Sequence, residues 1–324
     1  MAVPANLKTT DIAVGNREDL SDTLVRIYAD EMPLLAMAGK RKVKAVDHDW
    51  LTNDIRQGQL GNSQPEGATA RTTAANVRTR LRNKCQIFDE HIEVSGTQES
   101  VDKAAIRSEY KEQKMVKTKS LNLDREATYL SAQQFREQTG TDAGQGRQCS
   151  GIQCFVTTAG NSLRGAGGSD GAIDANGYAT SPTAGTNRQL TEDMVRTLML
   201  GMYKNGAGGN KTALMGADLK EAFTGFDGTV PPRYNVGQGD VTKLAAIDFY
   251  RTNHGIVKVQ AHQSELPNEV LVIRDEVVKI GKLRGLTTKK LAVTGDSKPA
   301  QMLCEETLIV TNLKGLGIIA DVTA

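Results

Sequence analysis

Residues 82–140 read RNKCQIFDEHIEVSGTQESVDKAAIRSEYKEQKMVKTKSLNLDREATYLSAQQFREQTG, and their reading decides the fold. Cys85 to Val94 alternates: Cys85, Ile87, the ring of His91 and Val94 are set among Lys84, Asp89, Glu90 and Glu93, the pattern of a half-buried strand. Ser95-Gly96-Thr97 breaks it. The stretch that follows lacks proline and glycine, is rich in strong helix formers, and spaces Val116, Leu123, Ala127 and Leu130 for one helical face. Gly140 is the natural stop. With Ser108 as its start, the spacing predicts a helix of about 30 residues, roughly 45 Å at 1.5 Å per residue. Lys117, Ser120 and Asp124 fall where a coiled-coil seam needs apolar residues. The expectation is therefore a helix lying along a sheet, with Glu109, Lys111, Glu112, Lys114, Lys119, Arg125 and Glu126 left to water or to a neighbouring subunit.

The bulk properties exclude several classes. A chain of 324 residues can bury a large core without covalent staples. Four irregularly spaced cysteines (Cys85, Cys149, Cys154, Cys304) suit a reducing compartment better than a disulfide framework. The start, MAVPANLKTTD, has no apolar core of a signal peptide, and apolar runs such as 316–320 are too short to span a bilayer, so the expectation is synthesis in the cytoplasm and no membrane partner. A net charge of +2 points to neither nucleic acid nor membrane, and 4% aromatic residues leave little for base stacking.

Outward from the central stretch, residues 1–18 read as a polar arm. Leu20, Leu24, Ile27 and Tyr28 are spaced for a short helix ended before Pro33, followed by Leu34, Leu35 and Met37 as a hydrophobic anchor. Residues 43–55 and 74–84 read as two strands joined by the turn-rich GQLGNSQPEGATA (58–70), a long hairpin. It is basic: Lys40, Arg41, Lys42, Lys44, Arg56, Arg71, Arg78, Arg80, Arg82 and Lys84 face Asp47, Asp49, Asp54 and Glu66. A lone two-stranded ribbon buries too little to be stable, so it should lie on another surface.

Residues 141–188 are dense in Gly, Ser, Thr, Ala and Asn and predict loops that bury little, with one strand at 152–156. Leu190 to Asn205 predicts a helix capped by Thr191, with acids in its first turn and Met194, Val195, Leu198 and Met202 on one face. Strands follow at 211–216, 256–260, 270–273, 277–281, 286–292 and 302–313, with a short helix at 217–223 and a loop at 225–240. Helices in the middle and strands at the end make an α+β class in which the chain leaves a sheet, builds a second lobe and returns.

Catalytic signatures fail on geometry. The run Gly206-Ala-Gly-Gly-Asn-Lys-Thr follows a helix and leads into a strand, the reverse of a phosphate loop. Cys149, Cys154, His254 and His262 match no zinc spacing. Cys149 and Ser150 have no designated base, and Gly-x-Ser-x-Gly is absent. Glu305 and Glu306 read as a solvated pair, and Asp47 and Asp49, sharing a strand face among bases, read as ion-pair partners. No catalytic residue, metal or cofactor is expected.

The order of parts, together with EMPLLAMAGK (31–40), RTRLRNKCQIFDEHIEVSGTQESV (78–101), LTEDMV (190–195) and LAVTGDSKPAQMLCEETLIVTNLKGLGII (291–319), resembles the Hong Kong 97-type major capsid proteins of tailed bacteriophages, in the branch lacking an N-terminal prohead-targeting domain. The resemblance implies an N-terminal arm and anchor helix at 1–42, an extended hairpin loop at 43–84, a peripheral-domain strand and spine helix at 85–144 (the helix at 107–138), an axial domain at 145–260, and closing peripheral strands at 261–324. It implies a non-catalytic shell subunit of the virion whose chief partner is itself, in hexamers and pentamers. Scaffolding, portal and decoration proteins and packaged double-stranded DNA, bound without sequence specificity, would be further partners. A basic hairpin reaching a charged spine makes Arg56, Arg71, Arg78, Arg80, Arg82 and Lys84, with Glu109 and Glu112, the candidates for contacts between subunits. The rival readings are an encapsulin-like compartment and a DNA-binding protein using the hairpin as a ribbon.

Overall fold

The computed structural model describes residues 32–55, 58, 60–70, 78–140, 144, 146–157, 161–226 and 248–324. The expected arm, the helix at Leu20 to Tyr28 and nearly all of the 225–240 loop lie outside them, as do Arg56 and Arg71.

The first helix, α1 (Pro33–Met37), starts where the sequence reading ended one: proline opens it at its first turn, where a missing N–H costs nothing. Strand β1 (Gly39–Lys42) follows, then the hairpin of β2 (Asp47–Asn53) and β3 (Arg78–Lys84), paired from Asp47↔Lys84 to Asn53↔Arg78. Next come β4 (Gln86–Ile92), the single turn α2 (Gly96–Ser100) and the spine α3 (Glu109–Leu130). Ser108 caps α3 by accepting from the Lys111 N–H and donates to Glu99 Oε1 at 2.8 Å, while Glu99 Oε2 accepts from the Tyr110 N–H.

The spine differs from expectation in length and phase. It has 22 residues and stops at Leu130, not at Gln138 or Gly140, because tertiary partners take over the backbone. Gln153 donates to the Leu130 carbonyl at 3.0 Å, and Cys154 Sγ donates to the carbonyls of Ala132 and Gln133. Its buried residues are Leu121, Glu126, Tyr129 and Leu130, while Val116 is exposed and Leu123 and Ala127 are half-buried. Arg125 and Glu126, assigned to the wet face, are buried in ionic and capping contacts. Strand β4 also shifts by one residue: Phe88 and Ile92 point inward, and Ile87 and His91 outward. Phe88 meets Tyr129 edge-on with ring centroids 6.0 Å apart, which fixes the face of β4 that α3 covers.

Residues 149–156, expected as loop and strand, are wholly buried and form a 3-10 turn at Ile152–Phe155. Glycine makes this possible. A Cβ on Gly151 would run into the backbone carbonyls of Ser131 and Thr128, so a small-residue segment lies against the end of α3 and enters the core. We expect Gly151→Ala to cost roughly 1–3 kcal/mol through overpacking, measured by denaturant unfolding of the unassembled subunit.

Strands β5 (Ser162–Leu163) and β6 (Arg188–Gln189) precede α4 (Glu192–Lys204), whose first-turn acids and buried Val195, Leu198 and Met202 match expectation; Thr191 stands at the N-cap position, but its side chain makes no capping hydrogen bond. After it come β7 (Lys211–Gly216), α5 (Ala217–Thr224), β8 (Phe249–Thr252), β9 (Gly255–His262), β10 (Val270–Arg274), β11 (Val278–Lys290), β12 (Ala300–Val310), β13 (Leu316–Ile319) and β14 (Val322–Thr323). The stretches expected as separate strands at 277–281 and 286–292 are the single strand β11, interrupted by register shifts between Lys282 and Thr287.

Two principal sheets result. One has the order β1-β11-β12-β4 and carries α3; the other has the order β5-β13-β10-β7-β9-β8. In the second, β7 and β9 are parallel across the α5 connection, and β7 is buried along its whole length, as expected of a strand covered on both faces. Leu214, Leu271 and Ile318 turn to the main core beside Phe155 and Leu316, while Ala213, Met215, Val270 and Val272 turn to α4 and α5. Residues 261–324 therefore do not return to one sheet: β10 and β13 complete the sheet of the second lobe, and β11 and β12 complete the first.

Candidate assembly surface

The hairpin is rooted by Trp50 on one face and by the ion pairs of Asp47, Asp49 and Lys84 on the other, and is exposed towards its far end. Trp50 anchors it, with Nε1 donating to the Val310 carbonyl at 2.8 Å and its ring 6.1 Å from Phe155. Asp49 sits between Arg80 and Arg82, accepting from Arg82 Nε at 2.6 Å. The hydrogen bond from Arg82, helped by that from Arg80, outweighs burial and holds its carboxyl below the usual range.

At the base, Lys84 is buried and bridges Asp47 at 2.6 Å and Glu137 at 2.7 Å. Burial works against its ammonium, but these two bonds outweigh it and push the pKa upward. Asp47 also accepts from the Tyr178 hydroxyl at 3.0 Å, and the Tyr178 ring stacks on Phe135 with centroids 4.0 Å apart. Gly177, at φ +90°, lets its loop press onto β3, where the Arg82 N–H donates to the Gly177 carbonyl at 2.7 Å; a side chain there would meet the Arg80 backbone. The expectation that Asp47 and Asp49 form ion pairs is met.

The candidate residues thus divide. Lys84, Arg82 and Arg80 are paired within the subunit, Arg78 is exposed at the far end of the paired strands, and Arg56 and Arg71 lie outside the described residues. Glu109 and Glu112 are half-buried in the first turn of α3, where Glu109 accepts from Gln113 at 3.0 Å. The charge count passes over three exposed apolar side chains: Leu51 is 62%, Ile55 89% and Leu60 100% exposed. A signal for Leu51 lies in its alternation with Trp50, since adjacent strand residues face opposite ways; one buried anchor implies an exposed neighbour.

The carboxylates read as a solvated pair are the most enclosed charges of the first sheet. Glu306 is 1% exposed; it meets Arg125 of α3 and Lys282 of β11, the latter at 3.6 Å, and accepts from the Tyr129 hydroxyl at 3.4 Å. Glu305 points to the opposite face, to Arg147 and to Arg284 at 2.6 Å. The register shift in β11 places Lys282 opposite Glu306 and Arg284 opposite Glu305, so each acid has a strand partner. These pairs tie spine, sheet and the approach to the second lobe together.

Other chemistry is poorly supplied. Burial pushes the thiols of Cys85, Cys149 and Cys154 up to about 12 and that of Cys304 to about 11, so they are neutral thiols near neutral pH and unsuited to thiolate chemistry. Cys154 belongs to the 3-10 turn, not to a strand. His254 packs on Tyr203, with ring centroids 5.0 Å apart, while His262 faces Glu126. Among the described residues no cluster of three or more potential metal ligands forms. Lys211, the lysine of the glycine run, turns inward and donates to the Gly209 carbonyl at 3.2 Å.

The fold recurs in phage shells. The chain matches a protein in the capsid asymmetric unit of cyanophage A-1(L) with a TM-score of 0.67 at 15% identity, covering 98% of this chain and 99% of that one. A capsid chain of the native GTA particle computed with C5 symmetry gives 0.62 at 14% identity, covering 97% and 98%, and a chain of Mycobacterium phage Bobi gives 0.60 at 10%, covering 99% and 100%. The sequence has no significant match among curated proteins. At these identities the likeness shows the fold, of the Hong Kong 97 type. The model of the SU10 major capsid protein family matches residues 6–323, nearly the whole sequence, so the chain belongs to that family and is a structural subunit of a capsid shell.

Proposed function

We propose that the subunit closes its shell by laying the outer side of the β2–β3 hairpin on a neighbouring copy, and that the shell encloses double-stranded DNA held without base recognition. The observation that carries this is the pairing of a fixed root with three exposed apolar side chains further along the hairpin. Trp50 and the Asp47–Lys84–Glu137 bridge hold the hairpin down, while Leu51, Ile55 and Leu60 remain exposed. Covering three such side chains is worth on the order of 1.5–3 kcal/mol each when complete, and Arg78 adds a charge that steers the approach. In this reading the first sheet with α3 is the peripheral unit, and the second sheet, from about residue 145 to β10 with β13 added, is the axial unit. Portal, scaffolding and decoration proteins are its expected partners, and the host cytoplasm its place of synthesis.

The DNA-ribbon alternative loses its basis in the hairpin itself, because Arg80, Arg82 and Lys84 are committed to Asp49, Asp47 and Glu137. The encapsulin-like alternative is not favoured by the family match. Deleting the tip, Gln57 to Thr69, should leave the melting temperature of the unassembled subunit within about 2 °C, since the described tip residues are exposed, and should abolish closed shells in electron microscopy. Normal shells from the deletion variant, or loss of its soluble folded subunit, would contradict the proposal.

A further inference from the structure

The first sheet ends in two edge strands of opposite charge. At one edge runs β1, where Lys40, Arg41 and Lys42 are exposed, with Lys44 exposed just past its end. Among the described residues, none of these four cations makes an ion pair or a side-chain hydrogen bond. At the other edge runs β4, which exposes Asp89 and, just past its end, Glu93. Asp89 accepts from Gln301 at 3.0 Å and Glu93 from Ser297 at 2.7 Å, both neutral partners, so neither carboxylate is met by a cation. The bases on that side are committed elsewhere: Lys117 of α3 to Glu90, and Lys298 to Glu99 at 4.0 Å.

Each of these charges alone is well solvated; their arrangement is what carries information. Bases on an edge strand keep other sheet edges away, and four of them make two β1 edges repel. The far edge of the same sheet has the opposite sign, so a β1 edge and a β4 edge attract. That combination disfavours a two-fold contact between like edges and selects a head-to-tail one. A head-to-tail contact repeated by a rotation that closes makes a ring. The position suits a shell as well. The sheet and α3 form two layers, and the sheet edges lie to the side of those layers, where a subunit of a thin shell meets its neighbours. Packaged DNA would meet the cations of β1 and repel the carboxylates of β4, whereas a second copy meets both.

We infer that the β1 edge of one subunit docks on the β4 edge of the next copy, with Lys40, Arg41, Lys42 and Lys44 facing Asp89 and Glu93 of the partner subunit. The inference rests on the chain being a shell subunit and is independent of where the hairpin lies. Exposed ion pairs contribute little energy each, typically about 0–1 kcal/mol, so the strength of the shell comes from apolar cover elsewhere. The two edges set direction and register: they steer the approach of a copy and reject the wrong edge. Salt weakens this steering, since the reach of a charge falls from about 10 Å at 0.1 M to about 3 Å at 1 M.

Zero-length cross-linking of the assembled full-length protein with a water-soluble carbodiimide, read by mass spectrometry, tests this. The reagent joins an amine to a carboxylate in contact. Within one chain the two edges are three strand spacings apart, about 14 Å, so a link from Lys40, Lys42 or Lys44 to Asp89 or Glu93 has to join two copies. Such links should form in rings and shells and be lost on dissociation, while Lys314 and Asp54, 2.9 Å apart within the subunit, link in both states. Charge reversal gives a second reading. Lys40→Glu with Lys42→Glu, and separately Asp89→Lys with Glu93→Lys, should each cut the yield of particles by on the order of tenfold, and the four changes together should restore it. Wild-type protein that carries the Lys314–Asp54 link and none between the edges would overturn the proposal. So would a fourfold variant no better than the two double variants. Normal shells of Lys40→Glu with Lys42→Glu that package no DNA would also overturn it, by assigning the β1 edge to nucleic acid.

Discussion

Replacing Glu306 by leucine should destabilise the unassembled subunit by about 3–5 kcal/mol, the range for removing one member of a buried ion pair. Glu306 is 1% exposed, and the Arg125 side chain facing it is 12% exposed, so the substitution strands a guanidinium in the core. Lys282 is better placed to turn to water, with 37% of its side chain exposed. Most of that loss should return in the double variant Arg125→Met with Glu306→Leu, since well-packed apolar residues replace a buried pair at little cost. Denaturant unfolding of the two single variants and the double variant forms the cycle. A Glu306→Leu subunit within about 1 kcal/mol of wild type would mean that the pair does not hold spine to sheet.

The second large effect concerns the face of the spine. Leu130→Asp should prevent folding, because the side chain is 1% exposed in the main core and an unpaired carboxylate there costs several kcal/mol, comparable to the stability of an ordinary domain. Leu123→Asp, on a half-buried position, should cost only about 1 kcal/mol. Soluble yield and thermal melting separate the two. Equal tolerance of both would show the helix seated on another face.

These two sites also mark what can be read in the sequence. The order of strand, spine, glycine-rich segment and second lobe was legible, because alternation, helix formers and breakers are local signals. Leu190 to Asn205 was legible for the same reason, with first-turn acids and apolar face agreeing. What failed was decided at long range. The spine ends at Leu130 because Gln153 and Cys154 bind its last carbonyls and those just beyond, and nothing in residues 131–140 says so. Val116 lost its place on the buried face to Tyr129 and Glu126, the latter polar but bonded to two amides of α1. Residues 149–156 are buried because glycine allows backbone to meet backbone, a property that composition reads as loop. The strand β13, at 316–319, lies inside the second sheet between β5 and β10 but is only four residues long, and its partners lie far away in sequence.

For the assembly surface, charge counting found the hairpin and misjudged its chemistry. The bases at its root neutralise acids of the same subunit, and the exposed part adds Leu51, Ile55 and Leu60 to the charge of Arg78. Individual ionisable residues therefore say little about the contacts between copies until their partners inside the subunit are known, as Lys84 illustrates by being buried between Asp47 and Glu137.

The most direct test of the central claim is electron microscopy with light scattering on the purified full-length protein, alone and co-expressed with its neighbouring genes. The account predicts closed particles, or five-fold and six-fold rings as their precursors. A monomer or dimer that persists in every condition would contradict it.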